Sequence, residues 1–354
     1  MNDHPTDLYA KMVDAGDILA CRWVQMACKR HLDDRKYGKE RGLKFDEGAA
    51  DVALNFFGFL KHSKGEWSGE AFQLEAWQQF IAGNLFGWMR GDGLRRFRTA
   101  YIEVARKNGK SSFAAGSGLK MFCADGEPGA EVYSCATKRD QAIIVHSEAT
   151  RMVRSSPSLK RRVGIFKNNL HILETASKYE PLGADADSLD GLNVHGAIID
   201  ELHAHKKRDL WDVIETATGS RRQPLMVAIT TAGFDQSGIC FELRDYVTQI
   251  LKGNIHDDTF FGIIYTLDLK KEWPELKDDD DWTDESLWIK SNPNLGISVK
   301  LDDIRRLAEK AKATPAAQNN FLTKRLNVWT QQSTRWISLE TWDQNLTSEV
   351  YALE

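Results

Sequence analysis

The chain has 354 residues, of which 42% are hydrophobic and 28% charged, and its formal net charge is -4. These values are typical of a globular domain, and they exclude a disordered chain, a membrane-embedded chain and a uniformly basic nucleic-acid binder. The length predicts one large core with an attached subdomain, or two domains.

The five cysteines are scattered and form no CxxC pair, so we expect free thiols in a reducing compartment. Met1 is followed by the polar residues NDHPTD, which do not form a secretory leader, and no apolar run is long enough to span a membrane. These features predict a protein that is kept inside a cell.

Taken from the N-terminus, residues 18–60 have apolar residues at three- and four-residue spacing, which predicts helices. The segment TAYIEV at 99–104 follows and has the β-branched and aromatic residues of a strand. The polar loop ARKNGKSS comes next, and a helical run then extends to Ala124. The order is therefore strand, loop, helix.

Four more short apolar strands are predicted downstream, in EVYSCAT, HGAIID, PLMVAITT and TFFGIIYTL. Helical stretches such as 139–154 and 209–217 lie between them. This alternation predicts an α/β fold with a mostly parallel central sheet flanked by helices. Beyond Leu267 the composition changes, and helical runs between Leu301 and Val328 indicate a smaller helical subdomain.

The segment VARKNGKSS at 104–112 matches the end of the phosphate-binding loop GxxxxGK[ST], although Val104 replaces the first glycine. Backbone N–H groups at such a helix start attract an anion. Lys110 would then contact the β- and γ-phosphates of ATP, Ser111 would ligate Mg²⁺, and Arg106 could reach the γ-phosphate. The alternative is an exposed turn that only caps a helix.

The segment GAIIDEL ends an apolar strand with two adjacent carboxylates. Asp200 is the predicted Mg²⁺ ligand, and Glu201 is the predicted general base for the attacking water. Alternatively, Asp200 is a helix cap that is followed by a first-turn glutamate. His203 and His205 have no further ligand at zinc spacing, so we expect them on a loop surface.

Further residues could support nucleotide binding or catalysis, and each has an alternative, purely structural interpretation. The strand PLMVAITTAG ends in hydroxyls that could sense the γ-phosphate, or its threonines are simply good strand formers. Gln73, Gln78 and Gln79 could present an amide to adenine, or they form a solvated helix face. A guanidinium from a neighbouring subunit can stabilise transition-state charge, and the candidates for this arginine finger are Arg208, Arg221 and Arg222.

Two basic runs could hold phosphates of a nucleic acid despite the acidic net charge. One contains Arg95, Arg96 and Arg98, and the other contains Lys160, Arg161 and Arg162.

Together, the segments ARKNGKS, GAIIDELHAH, ITTAG, LEAWQ and KSNPNLG resemble the large terminase subunit of tailed bacteriophages over nearly the whole chain. The resemblance implies a P-loop ATPase of the additional-strand, catalytic-glutamate type that uses ATP and Mg²⁺. In this family the first loop glycine is dispensable and an arginine stands where Arg106 does. The resemblance also implies an adenine contact at Gln78 and a coupling motif at Thr230, Thr231, Ala232 and Gly233.

The complete set of residues expected to bind nucleotide is Gln78, Arg106, Lys107, Asn108, Gly109, Lys110, Ser111 and Ser112, with Arg106, Lys110 and Glu201 as catalytic residues. The resemblance further implies a homo-oligomeric ring in the host cell cytoplasm, which docks on a capsid portal, works with the small terminase subunit and moves double-stranded DNA. An isolated subunit can be monomeric. No membrane contact is expected.

The expected divisions are a helical N-terminal segment (1–70), an ATPase core (71–266), a small lid (267–336) and the start of a linker (337–354). Full-length relatives continue into a nuclease domain. Because no further acidic cluster on a strand remains after the core, we expect that domain to be absent. The competing functions are another P-loop translocase or helicase, or an assembly protein that binds nucleotide without hydrolysing it.

Overall fold

The computed structural model describes residues 3–184 and 191–331. Eleven α-helices lie in these ranges: α1 Pro5–Ala15, α2 Arg22–Tyr37, α3 Glu47–Gly58, α4 Ala76–Gly87, α5 Lys110–Ala124, α6 Arg139–Ser155, α7 Pro157–Arg162, α8 Asp209–Ala217, α9 Ile239–Leu251, α10 Leu301–Ala313 and α11 Pro315–Arg325. Ten strands accompany them within the same ranges: β1 Leu43–Phe45, β2 Trp88–Arg90, β3 Thr99–Glu103, β4 Glu131–Ala136, β5 Gly164–Phe166, β6 Asn169–Ile172, β7 Ser177–Gly183, β8 Val194–Asp200, β9 Leu225–Thr230 and β10 Phe260–Ile264.

Eight strands form one sheet in the order β10-β3-β9-β8-β4-β7-β6-β5. The six strands from β10 to β7 are parallel, and β5 and β6 add an antiparallel hairpin. Strand β9 lies between β3, which precedes the phosphate loop, and β8, which ends in Asp200. The prediction of a P-loop fold of the additional-strand type is therefore confirmed.

The parallel strands are covered on both faces, which explains why they are almost continuously apolar. All six residues of β9 and all five of β10 are buried. Helices α1 to α4 pack into the same hydrophobic core as the sheet. Because parallel strands carry their carboxyl ends at one edge, this arrangement brings the ends of β3, β8 and β9 together.

The hairpin and β7 were not predicted from the sequence. Strands β5 and β6 have only three and four residues and meet at a tight turn in which Asn168 has a φ of 57°. Strand β7 contains Pro181, which usually argues against a strand. Proline fits here because β6 pairs only with residues 177–179, so the outer edge of β7 is open at Pro181.

The chain beyond β10 builds a second, smaller apolar cluster. Its members come from α10, α11 and the segments around them, and they include Trp288, Ile304 and Phe321. We call residues 267–331 the C-terminal subdomain. The predicted boundary at 336 and the range 337–354 lie outside the described residues. Within the described part of the chain, every helix is too short or too polar to cross a membrane.

Candidate active site

The phosphate loop connects β3 to α5, as its sequence pattern predicts. Gly109 has a φ of 78°, which glycine adopts without steric cost, and it is the N-cap residue immediately before α5. Val104 is fully buried, and its N–H donates to the Thr230 carbonyl at 3.1 Å, which extends the pairing between β3 and β9. Valine suits this extended position, so the missing first glycine does not disturb the loop.

Lys110 lies at the centre of the loop and is buried. Its Nζ donates to the carbonyls of Val104 and Ala105, both at 3.1 Å, and to Thr231 Oγ1 at 2.7 Å. Burial lowers its pKa to about 8, opposed by the negative charges of Glu201 and Asp200. The Lys110 ammonium is therefore held in place, and its positive charge is only partly balanced by the two carboxylates, so it is suited to bind an incoming phosphate.

Asp200 and Ser111 face each other across the ends of β8 and the loop. Ser111 Oγ donates to Asp200 Oδ2 at 3.4 Å. Burial, together with the charge of Glu201, raises the pKa of Asp200 to about 6. A hydroxyl and a single carboxylate fit Mg²⁺, which usually binds few protein groups and takes its other oxygen ligands from phosphates and water.

Glu201 has an unusual backbone conformation. Its φ is 52° and its ψ 45°, values that non-glycine residues rarely adopt. The Glu201 side chain is 42% exposed, although its Oε2 atom is buried. Its Oε2 lies 3.1 Å from His203 Nδ1. The Asp200 carboxylate thus contacts the half-buried Ser111, while the Glu201 carboxylate contacts His203 and its side chain is partly open to solvent.

The segment Thr230–Gly233 connects the loop to the C-terminal subdomain. Thr231 accepts the hydrogen bond from Lys110 described above, and the Ala232 N–H donates to Asn327 Oδ1 at 2.6 Å. A Cβ at Gly233 would lie 3.1 Å from the Trp329 ring. Glycine at this position therefore allows the close approach of the subdomain.

The loop is also held from its other side by the SNPN turn. Asn108 is fully buried and donates to Asn292 Oδ1 at 3.0 Å, while its own Oδ1 accepts from the Asn294 N–H at 3.0 Å. Asn294 Oδ1 in turn accepts from Trp77 Nε1 at 2.6 Å. The C-terminal subdomain is thereby hydrogen-bonded directly to the phosphate loop.

The remaining residues expected to bind nucleotide surround the same loop. Arg106 and Lys107 are exposed, and Ser112 is half-buried in the first turn of α5. Gln78 is buried, its Oε1 accepts from the Glu75 N–H at 3.0 Å, and its Nε2 lies 3.6 Å from a Cβ built at Gly109. The structure thus brings all eight expected residues to the loop.

The three arginine-finger candidates lie in different places. Arg221 is held by the Gly129 carbonyl at 2.6 Å and by Glu127 at 3.1 Å, and Arg222 precedes β9. Both lie at the edge of the sheet opposite to the loop, so neither reaches the phosphates of its own subunit. Arg208 is exposed on the side of Glu201, where it pairs with Asp212 and Glu242.

Comparison with known proteins identifies the family. The model "Terminase large subunit, ATPase domain" matches residues 76–249, which include the loop, Glu201 and the Thr230–Gly233 segment. The model "Terminase large subunit, endonuclease domain" matches residues 254–351. Both describe the same protein family, and together they cover most of the chain. The chain belongs to the terminase large subunit family.

The prediction that the nuclease domain is absent is wrong, because the endonuclease model matches residues 254–351. That prediction relied on the lack of a further strand ending in carboxylates. The match instead begins before β10 and includes the C-terminal subdomain, whose pattern is mainly that of apolar packing residues. A search for acidic ligands therefore could not recognise it.

Individual relatives agree with this assignment. The terminase large subunit of Enterobacteria phage HK97 is 28% identical over 249 residues, covering 69% of this chain and 47% of that protein. Protein YmfN of Escherichia coli K12 is 39% identical over 166 residues, which are 46% of this chain and 34% of that protein. The chain thus spans less than half the length of these relatives. The crystal structure of the HK97 large terminase is similar to this chain, with a TM-score of 0.66 and 25% sequence identity. The match covers 83% of this chain and 58% of the HK97 chain.

Several site residues of this terminase chain were missed or misjudged in the sequence. His203 and His205 were expected on a loop surface, yet the His203 side chain is only 13% exposed and His205 is buried. Asn292 and Asn294 were identified only as part of the KSNPNLG segment, and Asn327 was given no role. These asparagines could have been recognised as polar residues among apolar ones, a pattern that indicates buried hydrogen bonds.

Replacing Asn292 by alanine is expected to destabilise the terminase chain by about 1–3 kcal/mol, because Asn108 and the Arg325 carbonyl would each lose a buried partner. The urea midpoint should fall accordingly. The matched control is Asn254→Ala at an exposed site, for which a change within about 0.5 kcal/mol is expected. Equal midpoints for the two variants would show that the SNPN turn does not hold the loop.

Proposed function

We propose that this chain hydrolyses ATP and uses the energy to move double-stranded DNA into a preformed capsid. The observation that carries the proposal is the arrangement of Lys110 and Glu201 at one edge of the sheet, within the segment that matches the terminase ATPase domain. A site that only binds nucleotide needs the lysine but not the exposed carboxylate. Glu201 therefore favours an enzyme over an assembly protein.

The chemistry proposed for the site follows from the position of each group. The loop N–H groups and Lys110 bind the phosphates, and Arg106 is exposed at the loop where it can reach the γ-phosphate. Glu201 accepts a proton from the attacking water, for which a carboxylate on a partly solvent-exposed side chain is suited. Ser111 and Asp200 would hold Mg²⁺, which would supply positive charge against the phosphates.

We propose that the working form is a ring of identical subunits. Arg208 is exposed on the side of the site, which favours it as the arginine supplied to a neighbouring subunit. Its present partners, Asp212 and Glu242, are themselves exposed, so the ion pairs are weak enough to exchange. We also propose the capsid portal and the small terminase subunit as partners and the host cytoplasm as the location, because the resemblance to the family implies them.

The structure separates the two basic runs that were considered for DNA. Arg95 and Arg96 are 3% and 1% exposed and are paired with Asp125 and Asp34, so they are unavailable to phosphates. Lys160, Arg161 and Arg162 are all exposed at the end of α7, and no carboxylate in the described residues pairs with them. We therefore propose that the α7 run contacts the DNA backbone.

Neutralising Lys160, Arg161 and Arg162 together to alanine is expected to weaken duplex DNA binding and to lower the salt slope of log K by about 0.9 per lost phosphate contact. Fluorescence anisotropy with labelled duplex across a salt series measures both. The matched control is the triple alanine variant of Arg305, Arg306 and Lys310, which lie exposed on α10. A salt slope that is the same in both variants would show that α7 does not hold DNA.

The motor function itself is tested by phosphate release from ATP at high protein concentration, with and without duplex DNA. We expect Mg²⁺-dependent turnover that duplex DNA increases. Strand separation of a forked duplex would instead favour a helicase. ATP binding without any turnover under all of these conditions would favour the assembly protein.

A further inference from the structure

Lys324 lies on α11 of the C-terminal subdomain but points into the active site. Its Nζ is 3.1 Å from His203 Nε2 and 3.5 Å from the Ala232 carbonyl, and it lies 5.4 Å from the centre of the Phe234 ring. The Arg106 N–H donates to the Lys324 carbonyl at 3.0 Å, so the backbone of α11 is tied to the phosphate loop as well. These side-chain and backbone contacts fix this lysine beside the phosphate loop.

The hydrogen bonds around His203 determine which ring nitrogen carries the proton. An ammonium can only donate, so His203 Nε2 must accept from Lys324 and the proton is assigned to Nδ1. That Nδ1 lies 3.1 Å from Thr230 Oγ1 and 3.1 Å from Glu201 Oε2. The hydrogen bond goes to Thr230, while Glu201 Oε2 is buried against Nδ1 and has no hydrogen-bond partner in the described residues.

Charge around His203 supports the same assignment. Burial and the positive charge of Lys324 lower the pKa of His203 to about 4, so the ring is neutral at pH 7. Burial and the neighbouring Arg106 lower the pKa of Lys324 to about 8. The neutral His203 imidazole contacts both the Lys324 ammonium and the Glu201 carboxylate, so a movement of one changes the surroundings of the other. Because its pKa is low, the imidazole does not compete with Glu201 for the proton of the attacking water.

Thr230 extends the connection to the phosphate loop. Its hydroxyl donates to the Thr231 carbonyl at 3.1 Å, and the Thr231 hydroxyl accepts from Lys110. A continuous path of hydrogen bonds and backbone therefore runs from α11 through His203 to Lys110. Glu201 lies beside this path in a strained backbone conformation, so its carboxylate depends on neighbours to hold it in place.

We propose that Lys324 and His203 are positioning residues for Glu201, and that the C-terminal subdomain controls through them whether the carboxylate can act as the base. The proposal rests on the function proposed above. When α11 packs as it does here, the His203 ring lies against the buried Glu201 Oε2 and limits where the carboxylate can move. A displacement of α11 would withdraw Lys324, free the imidazole to rotate and release the carboxylate.

The test compares Lys324→Met, His203→Ala and the conservative Lys324→Arg with Lys310→Met, an exposed lysine on α10. Steady-state phosphate release gives kcat, and a fluorescent ADP analogue gives the dissociation constant. Because a general base contributes about 10²–10⁴-fold, a poorly held base should cost Lys324→Met and His203→Ala about tenfold or more in kcat. Their affinity for the ADP probe should stay within about threefold, and both Lys324→Arg and Lys310→Met should retain most activity.

Other outcomes would overturn the proposal. An unchanged kcat in Lys324→Met would show that Glu201 needs no support from α11. A loss of ADP affinity as large as the loss in kcat would make Lys324 a direct nucleotide contact instead. If Lys324→Met and Lys324→Arg unfold equally early and lose activity equally, the lysine is only structural. A wild-type chain that binds the ADP probe but releases no phosphate would overturn the proposed function, and this inference with it.

Discussion

Replacing Glu201 by glutamine is expected to lower the rate of ATP hydrolysis by about 10²–10⁴-fold, the usual contribution of a general base. Glutamine has nearly the same shape but cannot accept the proton of the attacking water. Nucleotide binding should survive, because Glu201 is on the open side of the site and the phosphate-binding groups belong to the loop. The variant should therefore accumulate bound, uncleaved ATP.

Phosphate release and binding of radiolabelled ATP measure the two parts of this expectation separately. The matched control is Glu215→Gln, which makes the same chemical change at an exposed position on α8. If Glu201→Gln hydrolyses ATP at the rate of Glu215→Gln, Glu201 is not the base, and its strained conformation has another cause.

Replacing Lys110 by methionine is expected to weaken ATP binding by about ten- to hundredfold. Methionine fills the buried volume of the lysine stem but removes its charge. A hydrogen bond to a charged group contributes about 1.5–3 kcal/mol, and each 1.4 kcal/mol changes affinity about tenfold. Lys120→Met is a demanding control, because Lys120 is also buried on α5 but pairs with Asp125, away from the loop. Equal ATP affinities in the two variants would exclude Lys110 from phosphate binding.

The pKa of Lys110 adds a pH dependence to this expectation. Because burial lowers that pKa to about 8, the lysine is charged below pH 8 and loses its proton above it. The wild-type ATP affinity should therefore fall as pH rises through 8, approaching tenfold per pH unit. Lys110→Met should lack this dependence, and Lys324→Met should keep it. An affinity that is flat from pH 7 to 9.5 in the wild type would contradict the role of Lys110.

The parts of the site that follow one another along the chain could be predicted from sequence. The loop from Val104 to Ser111 lies between a strand and a helix whose apolar patterns are clear, so its position at the sheet edge follows directly. Asp200 and Glu201 were found in the same way, because they end an apolar strand. Local patterns sufficed for these residues since each motif carries its own structural context.

The parts that depend on contacts between distant residues could not be predicted. Lys324 and His203 are 121 residues apart, and Asn327 and Ala232 are 95 apart. No periodicity joins such pairs, and a single lysine on a helix usually faces solvent. The positive φ of Glu201 was equally hidden, because it is a tertiary constraint on a residue with no intrinsic preference for that conformation.

Charge patterns misled in one place for a related reason. Arg95 and Arg96 form a basic run beside Arg98, yet each is paired with a buried carboxylate that comes from a distant segment. A run of basic residues therefore indicates a phosphate-binding surface only after the structure shows which of its members are unpaired. The α7 run meets that condition among the described residues.

The release of phosphate from ATP by the wild-type chain, measured beside Glu201→Gln at matched ATP and Mg²⁺ concentrations, decides whether the terminase ATPase domain is catalytic here. We predict steady turnover in the wild type that stops when Mg²⁺ is chelated, and phosphate release near background in Glu201→Gln although that variant still binds ATP. Equal turnover in the two proteins, or none in a wild-type chain that binds ATP, would contradict this account.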